Sequence, residues 1–197
     1  MQIHYRLTDT EIKKLLKENF MILYDTREQQ NAHILEYFDK AKVKYKKQKI
    51  DEGDYTAIIT KCPEMGIHRD LHFKVAVERK NSIDELASNL GEETDTRDNI
   101  RLERELERAK HKGIMMFLII EDKNGMENIK THNYRSLYSP QAFIGKLTSI
   151  QVRYLNDTMF EDKKNTGCEI LRKLKYAVRY LLKEGNLDID PEEQNAK

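Results

Sequence analysis

Tryptophan is absent from the 197 residues, only two cysteines and three prolines occur, and no apolar run approaches the length of a membrane span. Cys62 and Cys168 stand far apart and in no paired pattern. A disulfide-built scaffold is therefore excluded and a reducing compartment favoured. The opening residues, MQIHYRLTDTEIKK, hold no apolar signal segment, so a cytoplasmic protein with no membrane partner is expected. Net charge is nearly missing as well: 35 Lys and Arg face 34 Asp and Glu, leaving +1. That balance argues neither for nor against a polyanionic partner, and the local distribution has to decide. What is present is charge itself, 35% of residues against 39% apolar, on a chain long enough for one well-cored domain.

Thr8 or Asp9 can cap a helix with Ile12, Leu15, Leu16 and Phe20 on one side. Met21–Tyr24 reads as a short buried strand ending at Asp25, and Ala32–Phe38 as a helix facing inward through Ile34, Leu35 and Phe38. Two strands follow, Val43–Ile50 and Tyr55–Thr60, separated by the acidic turn Asp51-Glu52-Gly53-Asp54. Phe73–Val77 alternates as a strand, and helices are expected over Ser82–Leu90 and Asp98–Lys110. Ile114–Ile120 is the most apolar run and reads as a central strand. Pro140 suits the first turn of a helix bearing Phe143, Leu147, Ile150 and Tyr154, and a last helix carries Leu171, Leu174, Val178 and Leu181 up to a stop at Gly185. Helices alternating with strands around a central apolar strand give an α/β fold with a mixed sheet.

The chemistry-bearing residues gather at strand ends. In extended chain Glu78 and Lys80 project to one face and Arg79 to the other. A carboxylate and an ammonium side by side can hold a divalent ion and act on a water molecule beside a phosphate. Asp54, after Gly53 at the start of a neighbouring strand, is a second carboxylate within reach, and Asp25 a third. An acid-x-Lys pattern alone has little weight in so charged a chain. It recurs at Glu11-Ile12-Lys13, Glu121-Asp122-Lys123, Glu161-Asp162-Lys163 and Asp162-Lys163-Lys164. The copy at Glu121 also follows a strong strand, which makes it a rival.

The set Asp25-Thr26-Arg27-Glu28, then Gly53-Asp54-Tyr55, then Val77-Glu78-Arg79-Lys80 with Asp84, resembles the nuclease domain of the XPF family of structure-specific endonucleases in order, spacing and strand context. The resemblance spans about Met21 to Asp122, and the flanks resemble shorter phage- or prophage-encoded members. It implies a restriction-endonuclease-like core of the PD-(D/E)xK kind, a mixed central sheet flanked by helices with a helical C-terminal part. Residues 1–20 would then be a helical extension, 21–185 the nuclease domain and 186–197 a frayed tail. It further implies Mg²⁺ or Mn²⁺ held by Asp54 and Glu78 with Asp25 close by, and Lys80 as the catalytic lysine. Arg27, Glu28, Arg79 and Asp84 would bind substrate or support the site. DNA is the implied partner, and no nucleotide cofactor is expected. Domains of this type often pair, so a homodimer is compatible with the reading, though no surface patch in the sequence requires it. DNA repair, recombination or phage DNA processing would be the setting. The usual Gly-Arg-Leu segment is replaced by a longer acidic stretch, which leaves Arg97 and Arg101 both open for the family's arginine position. No tandem helix-hairpin-helix module follows, so flap or fork preference is not inherited with the motif. A non-catalytic DNA-binding or scaffolding subunit is the alternative, against which the complete set Asp25, Asp54, Glu78 and Lys80 counts.

Other patterns have blander readings. The lysines at 40, 42, 44, 46, 47 and 49 can contact phosphate or simply discourage edge pairing of a strand. Cys62, His68 and His72 lack a fourth ligand and finger spacing, and read as a variable loop rather than a zinc site.

Overall fold

The structure, a computed structural model, describes residues 7–90 and 97–185, and of residues 97–101 the backbone alone. The acidic segment 91–96, the tail from Asn186 and the side chains of Arg97 and Arg101 lie outside the described residues.

Helix α1 (Asp9–Glu18) opens on a reciprocal cap. Thr8 Oγ1 accepts the Glu11 N–H at 3.3 Å, and the Glu11 carboxylate accepts the Thr8 N–H at 2.7 Å. Ile12, Leu15 and Leu16 form its buried stripe. Phe20, expected on that stripe, is instead the first residue of strand β1 (Phe20–Tyr24), because the helix ends at Asn19. Helix α2 (Ala32–Lys40) leads to β2 (Lys44–Lys47), shorter than the expected Val43–Ile50. Past Lys47 the chain is drawn away from the ladder: Ile50 N–H donates to the Asp25 side chain at 2.7 Å.

Strand β3 (Tyr55–Ile59) is followed by β4 (Leu71–His72), which was not expected, and β5 (Val75–Lys80), which runs further than the apolar alternation suggested. All six β5 residues are buried, including the three charged ones. Helices α3 (Ile83–Leu90) and α4 (Arg97–His111) precede β6 (Met115–Ile120). The remaining elements are α5 (Gly125–Lys130), α6 (Pro140–Tyr154), β7 (Asp157–Phe160) and α7 (Thr166–Glu184), the last stopped by Gly185 as expected.

The sheet runs β2-β1-β3-β5-β6-β7, with β4 paired to β3. Strands β1 and β2 are parallel, β3 is antiparallel to β1 and β5, and β5, β6 and β7 are parallel to one another. One face packs Ile22, Ala57, Val75, Val77, Phe117 and Ile119 against α1, α2 and α7. The other packs Ala76, Met116, Leu118 and Ile120 against α3, α4 and α6. Such a mixed sheet between two helical layers is the restriction-endonuclease-like architecture. Strand period carries this division onto the charged end of β5. Glu78 and Lys80 continue the Ala76 face, and Arg79 continues the Val75–Val77 face. Among the described residues no helix is long and apolar enough to cross a membrane.

Candidate active site

A cavity of about 550 Å³ opens beside the C-terminal end of β5, walled by Arg27, Asp54, Glu78, Lys80, Glu85 and Glu105 among others. Asp54 reaches it because the turn before β3 is locked. Asp54 N–H donates to Val77 O at 2.9 Å, and Asp25 N–H donates to Asp54 O at 2.8 Å. Gly53 adopts φ +80°, and a Cβ there would lie 2.9 Å from the Ala76 Cβ and 3.2 Å from Val77 O. Both the conformation and the close approach to β5 demand glycine. Asp54 Oδ2 then accepts the Arg79 N–H at 2.8 Å, which fixes the carboxylate across the strand pair. The turn is tied down on its far side by Glu52, whose buried side chain meets Arg108 Nε of α4 at 3.2 Å and Lys112 Nζ, just past the helix, at 2.9 Å.

Glu78 and Lys80 face each other as their strand parity requires: Lys80 Nζ donates to Glu78 Oε1 at 2.9 Å, with Glu85 Oε1 3.7 Å away. Burial, the largest influence, works against the Lys80 charge, but Glu78 together with Glu85 and Asp54 outweighs it, so the pKa is raised. Burial followed by the Glu78 carboxylate pushes Asp54 well above the usual carboxylate range, despite its bond from the Arg79 N–H. Five acidic and three basic side chains border the cavity, an excess of two negative charges.

Arg79 turns to the opposite face. Its guanidinium donates to Glu28 through Nη2 at 2.7 Å and Nε at 3.3 Å. Its Nη1 also lies 3.0 Å from Glu121 Oε2, an ion contact without hydrogen-bond alignment. Glu121 Oε1 in turn meets His33 Nε2 at 2.6 Å. Burial acts against the arginine charge and the two glutamates more than offset it, so its pKa is raised. Glu121 is thereby spent inside the protein and does not border the cavity, which removes the rival acid-x-Lys copy.

The remaining sequence candidates fall into different places. Asp25 is fully buried and lies off the cavity wall. Its Oδ1 accepts both N–H (2.8 Å) and Nε (2.6 Å) of Arg27, and its Oδ2 accepts Ile50 N–H. Burial, the largest influence, raises its pKa, but these bonds together with the Arg27 charge outweigh it and hold the carboxyl below its usual value. Arg27 borders the cavity with its side chain half exposed. Asp84 sits at the start of α3, where Oδ1 accepts the Arg135 N–H at 2.8 Å and ties down the loop before α6. Glu105 on α4 borders the cavity and was not singled out in the sequence. Its only signal there is helical spacing with Leu102, Leu106 and Ala109, which marks the inward side of α4.

Among the described residues no three His, Cys, Asp or Glu side chains converge closely enough to hold an ion on their own, and the Cys62, His68 and His72 grouping is no exception. The strand-end pair Asp54 and Glu78 suits a different arrangement. Mg²⁺ commonly takes one or two carboxylates from a protein and completes its shell with water and substrate phosphate. The excess of two negative charges and the raised Asp54 pKa are what a divalent cation would relieve.

No curated protein matches the chain in sequence. A family model does: the ERCC4 domain aligns with residues 24–174, from Tyr24, the last residue of β1, through the first half of α7, and takes in every site residue described above. The chain therefore belongs to the ERCC4-domain family, the XPF-type nuclease domains.

Proposed function

We propose that this nuclease is a divalent-metal-dependent endonuclease that hydrolyses phosphodiester bonds of DNA. The observation that carries the reading is the meeting of Asp54, from the turn before β3, and Glu78, from the adjacent antiparallel β5, at one cavity, with Lys80 Nζ 2.9 Å from Glu78. Asp54 and Glu78 would hold Mg²⁺ or Mn²⁺. Bound there, the ion supplies Lewis acidity toward the phosphate and lowers the pKa of water. The Lys80 ammonium borders the cavity beside Glu78, its Nζ 2.9 Å from Glu78 Oε1. Its part is to assist the attacking water and offset charge developing on the phosphate oxygens. Arg27, with its Nε held by Asp25 and its Nη2 donating to Ile50 O at 3.1 Å, presents a guanidinium at the cavity rim where a flanking phosphate would lie. Asp25, Glu28, Arg79 and Asp84 support these groups. Action on flaps, forks or junctions, in repair, recombination or phage DNA processing, is proposed from the family membership alone.

The test is incubation of labelled single-stranded, duplex, flap, fork and junction DNA with Mg²⁺ or Mn²⁺, and with EDTA. Cleavage should need the metal. Asp54→Ala and Lys80→Ala should each lose at least about 100-fold in rate, with circular dichroism and melting showing a folded protein. A Lys80 variant that cuts as fast as the parent overturns the mechanism. Absence of Mn²⁺ uptake at millimolar metal would favour the non-catalytic scaffold.

A further inference from the structure

Glu105 occupies an unusual position for a helix residue. Its side chain borders the cavity, yet the residue is only 8% exposed, and its Oε1 accepts the Gly53 N–H at 2.8 Å. One carboxylate thus grips the residue before Asp54 and also joins the cavity wall. Burial, followed by the nearby Glu78 carboxylate, raises its affinity for a proton, and Glu52 adds to this. Its second oxygen meets no donor from a described residue. The same holds for the second oxygens of Asp54 and Glu78, whose first oxygens take Arg79 N–H and Lys80 Nζ. The cavity's three cations are already engaged, Lys80 by Glu78, Arg27 by Asp25 and Arg79 by Glu28. A loop anchor alone needs no charge, because a glutamine carbonyl would accept the same N–H. A buried carboxylate set among other carboxylates is costly unless a cation answers it.

We propose that Glu105 is a third functional carboxylate of the site, bound through ordered water to the divalent ion that Asp54 and Glu78 hold directly. The inference rests on the metal-dependent reading above. Contact through water is required because the three carboxylates do not converge on one point. Carboxylates in this outer position typically raise metal affinity 10–100-fold. Glu105 therefore acts as a positioning residue twice over, on the Asp54 turn through Gly53 and on the ion's water.

Isothermal titration of the full chain with Mn²⁺, paired with thermal melts with and without metal, separates the two roles. Glu105→Gln keeps an acceptor for Gly53 N–H and removes the charge; Glu105→Ala removes both. The expected result is Mn²⁺ affinity weakened about 10-fold in Glu105→Gln, with a metal-free melting temperature at or above that of the parent, since repulsion from Glu78 and Glu52 is relieved. Parent-like Mn²⁺ affinity in Glu105→Gln overturns the proposal, whatever Glu105→Ala does, and leaves only the loop anchor. A parent that takes up no Mn²⁺ while Glu78→Gln behaves identically overturns the metal reading itself.

Discussion

Replacing Arg79 by methionine tests whether the middle residue of Glu78-Arg79-Lys80 is a brace or a substrate contact. The Arg79 side chain is 4% exposed, between Glu28 at 7% and Glu121 at 0%. Methionine fills much of the volume but leaves both carboxylates without their cation. Glu121 then keeps His33 Nε2, and Glu28 keeps no charged partner among the described residues. Breaking a buried pair from one side costs about 3–5 kcal/mol, because a charge is left behind in a poorly solvated place. At this chain length about 1 kcal/mol moves the melting temperature by roughly 2–4 °C, so a drop of about 6–20 °C is expected. Urea denaturation measures the loss of stability. Adding Glu28→Gln and Glu121→Gln to the arginine variant should restore at least half of the loss, because a neutral buried set is tolerated. An Arg79→Met protein within about 1 kcal/mol of the parent would refute the brace.

Gly53→Ala forces a Cβ to 2.9 Å from Ala76 Cβ at φ +80°. It should destabilise the fold by about 1–3 kcal/mol in urea denaturation and weaken Mn²⁺ uptake by displacing Asp54; an unchanged midpoint would refute the glycine requirement. Asp25→Asn places an amide where Oδ1 and Oδ2 both accept, and should cost about 1–3 kcal/mol at pH 7. Asp25 is held below its usual pKa, so its contribution is complete above the unfolded aspartate value near pH 4 and fades as pH falls through the folded value. The difference between parent and Asp25→Asn in melting temperature should close at acid pH, and a constant difference would refute the charge role.

The fold was legible where apolar period was strong. IMMFLII became β6, and the stripe Leu171, Leu174, Val178 and Leu181 lies on α7. Helix α5, with six residues, and β7, with four of which none is buried, are too short for a period to register. The extra length of β5 was hidden for a physical reason: its last three residues are charged yet buried, paired by ions that no local pattern reveals. Within the site, Asp54, Glu78 and Lys80 were legible because motif and strand parity agree. Glu105 was not, since a glutamate on a helix rich in Glu and Arg reads as solvated face until the Gly53 contact is seen.

The acidic motif after β1 offers the cavity fewer unpaired carboxylates than it contains. In Asp25-Thr26-Arg27-Glu28 both acids are taken up by arginines, Asp25 by Arg27 and Glu28 by Arg79. Asp25 additionally receives Ile50 N–H, which binds the end of the β2 segment to β1. Arg79 carries the same bracing to β6 through Glu121 and to α2 through His33. Arg79 on the odd-numbered face of β5 thus holds together the strand ends beside which Glu78 and Lys80 border the cavity. Loss of an odd-face charge should accordingly appear first as lost stability, and loss of Glu78 or Lys80 as lost metal binding or cleavage in a protein that still folds. The two classes of variant are separable by melting alone, before any DNA is added.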